Sequence, residues 1–322
     1  MQEAVTDSCP GEIDPEIRAF VSALNRGYAA VPGFGSLPLP ERRDAAERIR
    51  APWSAGGPAM ARTIETTVAG RAARIHLPAE AEALPVLLYL HGGGWTMFSI
   101  DTHDRLMREY AARAGIAVLG LDYSLSPEAR YPVALGETVN ALAWIGEEGA
   151  THGLDGGRIA IGGDSAGANL AMAACLRLRD CGSALPKAML LNYGAFGPEH
   201  LPSYRLYGGP DYMLTVEEMD RFWTDYVAGP EDLDDPLAAP ALADLAGLPP
   251  AFMAIAECDI LLDVNRQVAE RLARAGVEVD ARIYPGATHS FLEAVSISRL
   301  ANRALEEASQ WLRIQLTAGP RR

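Results

Sequence analysis

Six short apolar runs restrict what this chain can fold into more than any other feature. "PVLLYL", "IAVLGL", "RIAIGG", "AMLLNY", "AFMAIA" and "VDARIY" follow one another between residues 85 and 284. Most lack the polar alternation of a strand with one wet face, as expected of strands buried on both faces of a parallel sheet. Ahead of them, "TIETTV" and "AARIHL" alternate around the turn "AGR" and read as an antiparallel pair.

Amphipathic segments separate the runs. "THDRLMREYAARAG" places Leu106, Tyr110 and Ala114 on one helical face and stops at Gly115. "ALGETVNALAWIGEEG", "AGANLAMAACLRLRD" and "LLDVNRQVAERLARAG" follow the fourth, fifth and seventh strands, and "RLANRALEEASQWLRIQL" comes last. Eight strands with crossover helices predict an α/β fold, an eight-stranded and mostly parallel doubly wound sheet flanked by helices.

Two regions break the rhythm. Residues 1 to about 55 are rich in Pro and Gly, with one expected helix at "PEIRAFVSALNRG". Residues 195 to about 235 carry Tyr204, Tyr207, Tyr212, Phe222, Trp223 and Tyr226. Such a density of aromatics suits the core of a small helical insertion and equally the roof of an apolar pocket. Open α/β sheets bind ligands beyond the carboxyl ends of their strands, where such insertions project.

With 322 residues, 49% of them hydrophobic and 22% charged, the chain can bury a sizeable core. The net charge of −14 argues against nucleic acid or an anionic membrane surface as a partner. No stretch approaches the roughly 18 apolar residues of a membrane span, and the first residues show neither the basic nor the apolar region of a secretory signal. Cys9, Cys175, Cys181 and Cys258 have no metal-ligand spacing. They read as reduced thiols of a cytoplasmic protein.

Two glycine clusters carry the chemistry. The first, "GGDSAGAN", lies between an apolar run and an amphipathic helix and contains Gly163-Asp164-Ser165-Ala166-Gly167, a G-x-S-x-G pattern. In that context the serine occupies a strained strand-to-helix turn with its hydroxyl above the sheet. A serine hydroxyl is a weak nucleophile and requires a base and an orienting acid, which follow in the chain order Ser, acid, His. Of the six histidines only His289 lies beyond the seventh and eighth strands. After the seventh strand "ECDILLD" offers Glu257, Asp259 and Asp263, of which Asp259 is nearest the opening of the strand into a loop. The second cluster, "HGGGW" at residues 91–95, follows the third strand. An acyl-transfer oxyanion must be met by donors already in place, and the bare backbone of Gly93 and Gly94, with the Ala166 N–H, would supply them. Trp95, Met97, Phe98, Tyr212 and Phe222 are the expected substrate-pocket residues.

"HGGGW", "DYSLSPEARYP", "GDSAGAN", "ECDILLD" and "YPGATHSF" resemble the hormone-sensitive-lipase-like branch of the α/β-hydrolases, and the flanking "DTHDRLMREYA" is similar to bacterial acetyl esterases of that branch. The resemblance spans roughly residues 60–315. It implies an α/β-hydrolase fold as a single domain over 1–322, with a cap formed by about 1–55 and about 195–235. It further implies a cytoplasmic, cofactor-free serine carboxylesterase acting on a small-molecule, short-acyl ester. The family motifs assign Ser165 as nucleophile, Asp259 as acid and His289 as base, with oxyanion donors at Gly93, Gly94 and Ala166. An amidase or deacetylase on the same machinery, or a ligand receptor without turnover, are the alternatives; a homodimer is left open. Two departures stand out: Ile260 where proline is common after the acid, and Ser290 where Gly or Ala commonly follows the histidine. Asp122, Pro127 and Glu128 are expected to fix the loop after the fourth strand, and His91 and His103 to be structural.

Overall fold

The computed structural model describes residues 11–317, so Cys9 and the first ten residues of the expected N-terminal cover lie outside the described residues. Two helices come first, α1 (Pro15–Ala29) and α2 (Leu39–Ser54), then the strands β1 (Arg62–Val68), β2 (Arg71–Leu77) and β3 (Leu84–Leu90). Helices and strands then alternate through α3 (Asp104–Ala114), β4 (Ala117–Leu121), α4 (Val133–Glu148), β5 (Leu154–Asp164), α5 (Ala166–Asp180) and β6 (Ala188–Asn192). Helices α6 (Pro202–Tyr207) and α7 (Val216–Tyr226) interrupt the rhythm. It resumes with β7 (Ala251–Cys258), α8 (Leu262–Arg274), β8 (Val279–Thr288) and α9 (Arg299–Thr317). Each strand falls on a segment predicted from the apolar pattern.

The strands form one sheet in the order β1-β2-β4-β3-β5-β6-β7-β8. β2 runs antiparallel to both β1 and β4, and the other neighbours are parallel. Every residue of β3, β4 and β6 is buried. Alternation sends successive side chains to opposite faces. Val86, Leu88 and Leu90 of β3 join one apolar layer with α4, α5 and α8, while Leu87 and Tyr89 join the other with α1, α3 and α9.

β4 lies on one side of β3 and β5 on the other, so the chain reverses its direction of travel across the sheet at β3. The crevice beyond the carboxyl ends at such a reversal is where open α/β sheets take their ligands. Leu90 is in register with Gly163, which brings the loop after β3 and the turn after β5 out of the sheet side by side.

The sequence pattern misses α2. Its N-cap is Pro38, Pro40 sits in its first turn beside Glu41, and its buried positions are Arg42, Ala45, Ala46 and Arg50. Alanine and arginine stems supply the apolar contact, so no stripe of large hydrophobic residues announces it. α7 is better marked: Thr215 caps it, accepting from the Glu218 N–H while the Glu218 carboxylate accepts from the Thr215 N–H. Among the described residues no helix is long and apolar enough to cross a membrane.

Candidate active site

Ser165 sits between β5 and α5 with φ 53° and ψ −117°, a conformation that side-chain-bearing residues rarely adopt. Two close approaches force the sequence around it. A Cβ on Gly163 would lie 2.1 Å from the Leu90 carbonyl oxygen, and one on Gly167 would lie 1.9 Å from the same atom. The serine is therefore held on a bend that only glycine on both sides permits.

His289 and Asp259 arrive from neighbouring strands. Asp259 directly follows β7 and His289 directly follows β8, and these strands are parallel partners. His289 Nδ1 lies 2.8 Å from Asp259 Oδ2, and Nε2 lies 3.0 Å from Ser165 Oγ. With the Nδ1 proton given to the carboxylate, Nε2 is left to accept from the serine hydroxyl. The second carboxylate oxygen of Asp259 accepts from the Leu261 N–H at 2.9 Å, which fixes the acid in its loop. All three side chains are almost wholly buried. The two other carboxylates of "ECDILLD" are engaged elsewhere: Glu257 accepts from the Gly286 N–H and Asp263 from the Ser203 N–H.

The loop after β3 closes on itself, with Thr96 and Met97 N–H donating to the Gly93 carbonyl at 3.1 and 2.9 Å. Gly93 has φ 113°, and a Cβ there would lie 2.2 Å from the Met97 carbonyl oxygen. Among the described residues the N–H groups of Gly93 and Gly94 donate to no acceptor. The Ala166 N–H opens α5 and has no partner within its helix, as at any helix N-terminus.

A buried cluster braces that loop from beneath. The carboxylate of Asp164 accepts from the Tyr89 hydroxyl at 2.7 Å and from the Gly92 N–H at 3.1 Å, and faces His103 Nε2 at 3.4 Å. Burial pushes the Asp164 carboxyl up, but the His103 charge and the hydrogen bonds outweigh it and hold the group below its ordinary value. Burial likewise lowers His103, and Asp164 reverses the balance and raises it. His91 stacks on Tyr123 with ring centroids 4.4 Å apart. Burial and the nearby His103 charge drive its imidazole down to about 3, so it is neutral at physiological pH. Both histidines thus serve the scaffold. Glu128 is tied by both guanidinium Nη atoms of Arg43 at 2.8 Å, while Arg43 also donates to the Thr96 and Ser126 carbonyls, pinning α2 to this loop.

A cavity of about 250 Å³ opens over Ser165 and His289. Met97, Phe98 and Phe222 line it, as does the Gly93–Gly94 backbone. Two expected pocket residues do not. Trp95 is fully buried behind the loop, stacked on Tyr226 at 4.0 Å and packed on Trp223 at 4.7 Å. Tyr212 turns away and meets the Tyr207 ring edge-on at 5.1 Å. In their place stand Met213, Leu214 and Met219 of the 195–235 region, together with Tyr28 and Arg50 from α1 and α2. The aromatic count of that region hinted at a wall, but side-chain direction is set by the turn at Met213, which takes φ 82°. Arg50 carried no signal, because charged residues are ordinarily solvated.

Among the described residues no cluster of His, Cys, Asp or Glu could hold a metal ion. Cys175, Cys181 and Cys258 are free thiols, and burial pushes Cys258 up to about 12, away from the reactive thiolate.

A family model described as alpha/beta hydrolase fold matches residues 87–293. An acetyl esterase from Salmonella paratyphi A is 35% identical over 307 residues, covering 93% of this chain and 94% of that protein. A hyperthermophilic esterase from the archaeon Pyrobaculum calidifontis superimposes with a TM-score of 0.89 at 32% identity, covering 95% of this chain and all of that one (100%). A thermophilic, thermostable carboxylesterase cloned from a metagenomic library gives a TM-score of 0.84 at 32% identity over 88% of this chain and 99% of its own. On the fold, the motifs and these matches together, the chain belongs to the hormone-sensitive-lipase-like esterase branch of the α/β-hydrolase family.

Proposed function

We propose that this carboxylic ester hydrolase cleaves short-acyl, acetyl-type esters through Ser165, His289 and Asp259 and an acyl-enzyme on the serine. The observation that carries the reading is the continuous hydrogen-bonded chain from Ser165 Oγ through both nitrogens of His289 to Asp259, at 3.0 and 2.8 Å. In it Ser165 Oγ attacks the ester carbonyl carbon while His289 Nε2 takes the hydroxyl proton. The carbonyl oxygen becomes an oxyanion bound by the N–H groups of Gly93, Gly94 and Ala166. His289 then returns the proton to the departing alcohol oxygen, and water, deprotonated by the same imidazole, releases the acid. Asp259 orients the ring and balances the imidazolium charge.

Chain-length preference follows from volume. About 250 Å³ lies below the roughly 300–1,000 Å³ of pockets that enclose drug-sized ligands, which favours a small acyl group. In this reading α1, α2 and the segment bearing α6 and α7 act as a cap that supplies the walls.

Hydrolysis of p-nitrophenyl esters from acetate to decanoate, run beside Ser165→Ala, tests the proposal. Turnover is expected to drop steeply beyond about six carbons, and the variant to lose activity by a factor of about 10⁴ or more. A Ser165→Ala enzyme working at the wild-type rate sinks the mechanism.

A further inference from the structure

Among the described residues that line the cavity, Arg50 is the one arginine or lysine. Arg50 reaches it from α2 with only 5% of its surface exposed. Its Nη1 forms an ion pair with Glu293 at 2.5 Å, its Nε lies 3.4 Å from the Tyr28 hydroxyl, and its guanidinium covers the Phe98 ring at 4.6 Å. Nη2 donates to nothing among the described residues, and it is not sealed from solvent as the buried unpartnered atoms are. Ser290, which follows His289, lines the same cavity and takes φ 59°. Its carbonyl accepts from the Glu293 N–H at 3.0 Å, so Ser290 and the partner of Arg50 share one turn. Its hydroxyl likewise has no hydrogen-bond partner among the described residues and is not sealed off. Met97, Leu214, Met219 and Phe222 give apolar wall, while Asn25, Tyr28, Thr215 and Glu218 bring polar groups that are engaged: Asn25 Nδ2 donates to the Pro210 carbonyl and the Glu218 carboxylate accepts from Thr215.

Two unpaired donors side by side on the cavity wall suit an acceptor oxygen of the ligand, which takes the place of the water they otherwise meet. The side they occupy identifies which part of the ester they meet. His289 Nε2 must reach the leaving oxygen to protonate it, so groups beside His289 border the alcohol part. Charge narrows the chemistry. Glu293 already balances Arg50, and the chain carries a net charge of −14, so a second anion here would lack a cation of its own. Building on the hydrolase reading above, we propose that Arg50 and Ser290 are specificity-determining residues that hydrogen-bond a neutral acceptor oxygen in the alcohol part of the ester. Short-acyl esters of oxygen-bearing alcohols are then preferred over those of plain alkanols.

A matched pair tests this: 2-methoxyethyl acetate and butyl acetate differ by one oxygen in place of one methylene. The quantity read is the ratio of their kcat/KM values, compared between wild type, Ser290→Ala and Arg50→Lys, so that intrinsic reactivity cancels. The ratio is expected to drop by a factor of about three to ten in each variant. An unchanged ratio in Ser290→Ala overturns the role of the serine; an unchanged ratio in both overturns the proposal. Should Arg50→Lys fold poorly, Ser290→Ala and wild-type turnover of 3-acetoxypropanoate decide: a preference for this anion over 2-methoxyethyl acetate contradicts the neutral acceptor. A wild type inert toward every ester overturns the hydrolase reading itself, an outcome distinct from an unchanged ratio.

Discussion

The carboxylate of Asp164 faces Nε2 of His103 at 3.4 Å in an interior where each side chain is at most 2% exposed, one residue upstream of Ser165. The same carboxylate holds the Gly92 N–H, one residue upstream of Gly93. One buried ion pair therefore sits beneath both the serine turn and the glycine loop.

That pair gives stability a defined pH window. The raised His103 contributes fully below its unfolded value of 6.5 and loses its contribution as pH climbs through the folded value. The lowered Asp164 contributes above its unfolded value of 3.8 and loses its contribution as pH falls through the folded value. The stability difference between wild type and His103→Gln is expected to be largest between about pH 4 and 6.5 and to shrink toward pH 9. Urea unfolding of both proteins at pH 5 and pH 9 measures it; a difference independent of pH contradicts the assignment.

Asp259→Asn keeps a carbonyl oxygen for the Leu261 N–H but destroys the acceptor set that selects the His289 tautomer. We expect kcat on p-nitrophenyl acetate to decline by about 10³–10⁴ while the unfolding midpoint moves little. A tenfold loss or less argues that Asp259 is not the orienting acid.

Gly94 has φ 58°, and a Cβ on it would lie 2.2 Å from the Phe222 ring. Gly94→Ala is expected to reduce kcat/KM by at least about tenfold through loop displacement, and Phe222→Ala in the same chain to restore part of it. A double-mutant cycle on phenyl acetate reads the coupling. Additive effects would mean that the ring and the loop do not press on one another.

Glu293→Ala leaves the Arg50 guanidinium buried without its counter-charge. Both side chains are about one-twentieth exposed, at 6% and 5%, so the little water the cavity brings to Arg50 does not replace the carboxylate. A loss of about 3–5 kcal/mol is expected from denaturant unfolding. A loss under about 1 kcal/mol, the range of an exposed pair, would show that cavity water compensates for the missing carboxylate.

The sheet is legible from the sequence because its strands are buried on both faces, so each is a near-continuous apolar word between turn signals. Ser165, Asp259 and His289 are nameable in order because each follows directly on a strand, where chain direction and loop position are already determined. The cavity wall is not legible in the same way. Trp95 and Tyr212 look like pocket residues by type, yet a turn residue's side chain goes where its φ sends it, and Trp95 takes φ 56°. α2 and Arg50 escape notice for a different reason: their contacts are made by methylene stems and a long-range ion pair, neither of which leaves a periodic trace.

Trp95 follows the glycines directly, and its ring lies flat on Tyr226 at 4.0 Å with only 9° between the planes. The Tyr226 carbonyl, in turn, accepts from the Tyr131 N–H at 2.8 Å. The last turn of α7 thus packs on the indole that directly follows Gly93 and Gly94, whose amides are the proposed oxyanion donors. Under the proposed mechanism, lifting this helix outward would break the Trp95–Tyr226 stack beside those amides, so a doorway opened on that side would disturb the oxyanion donors.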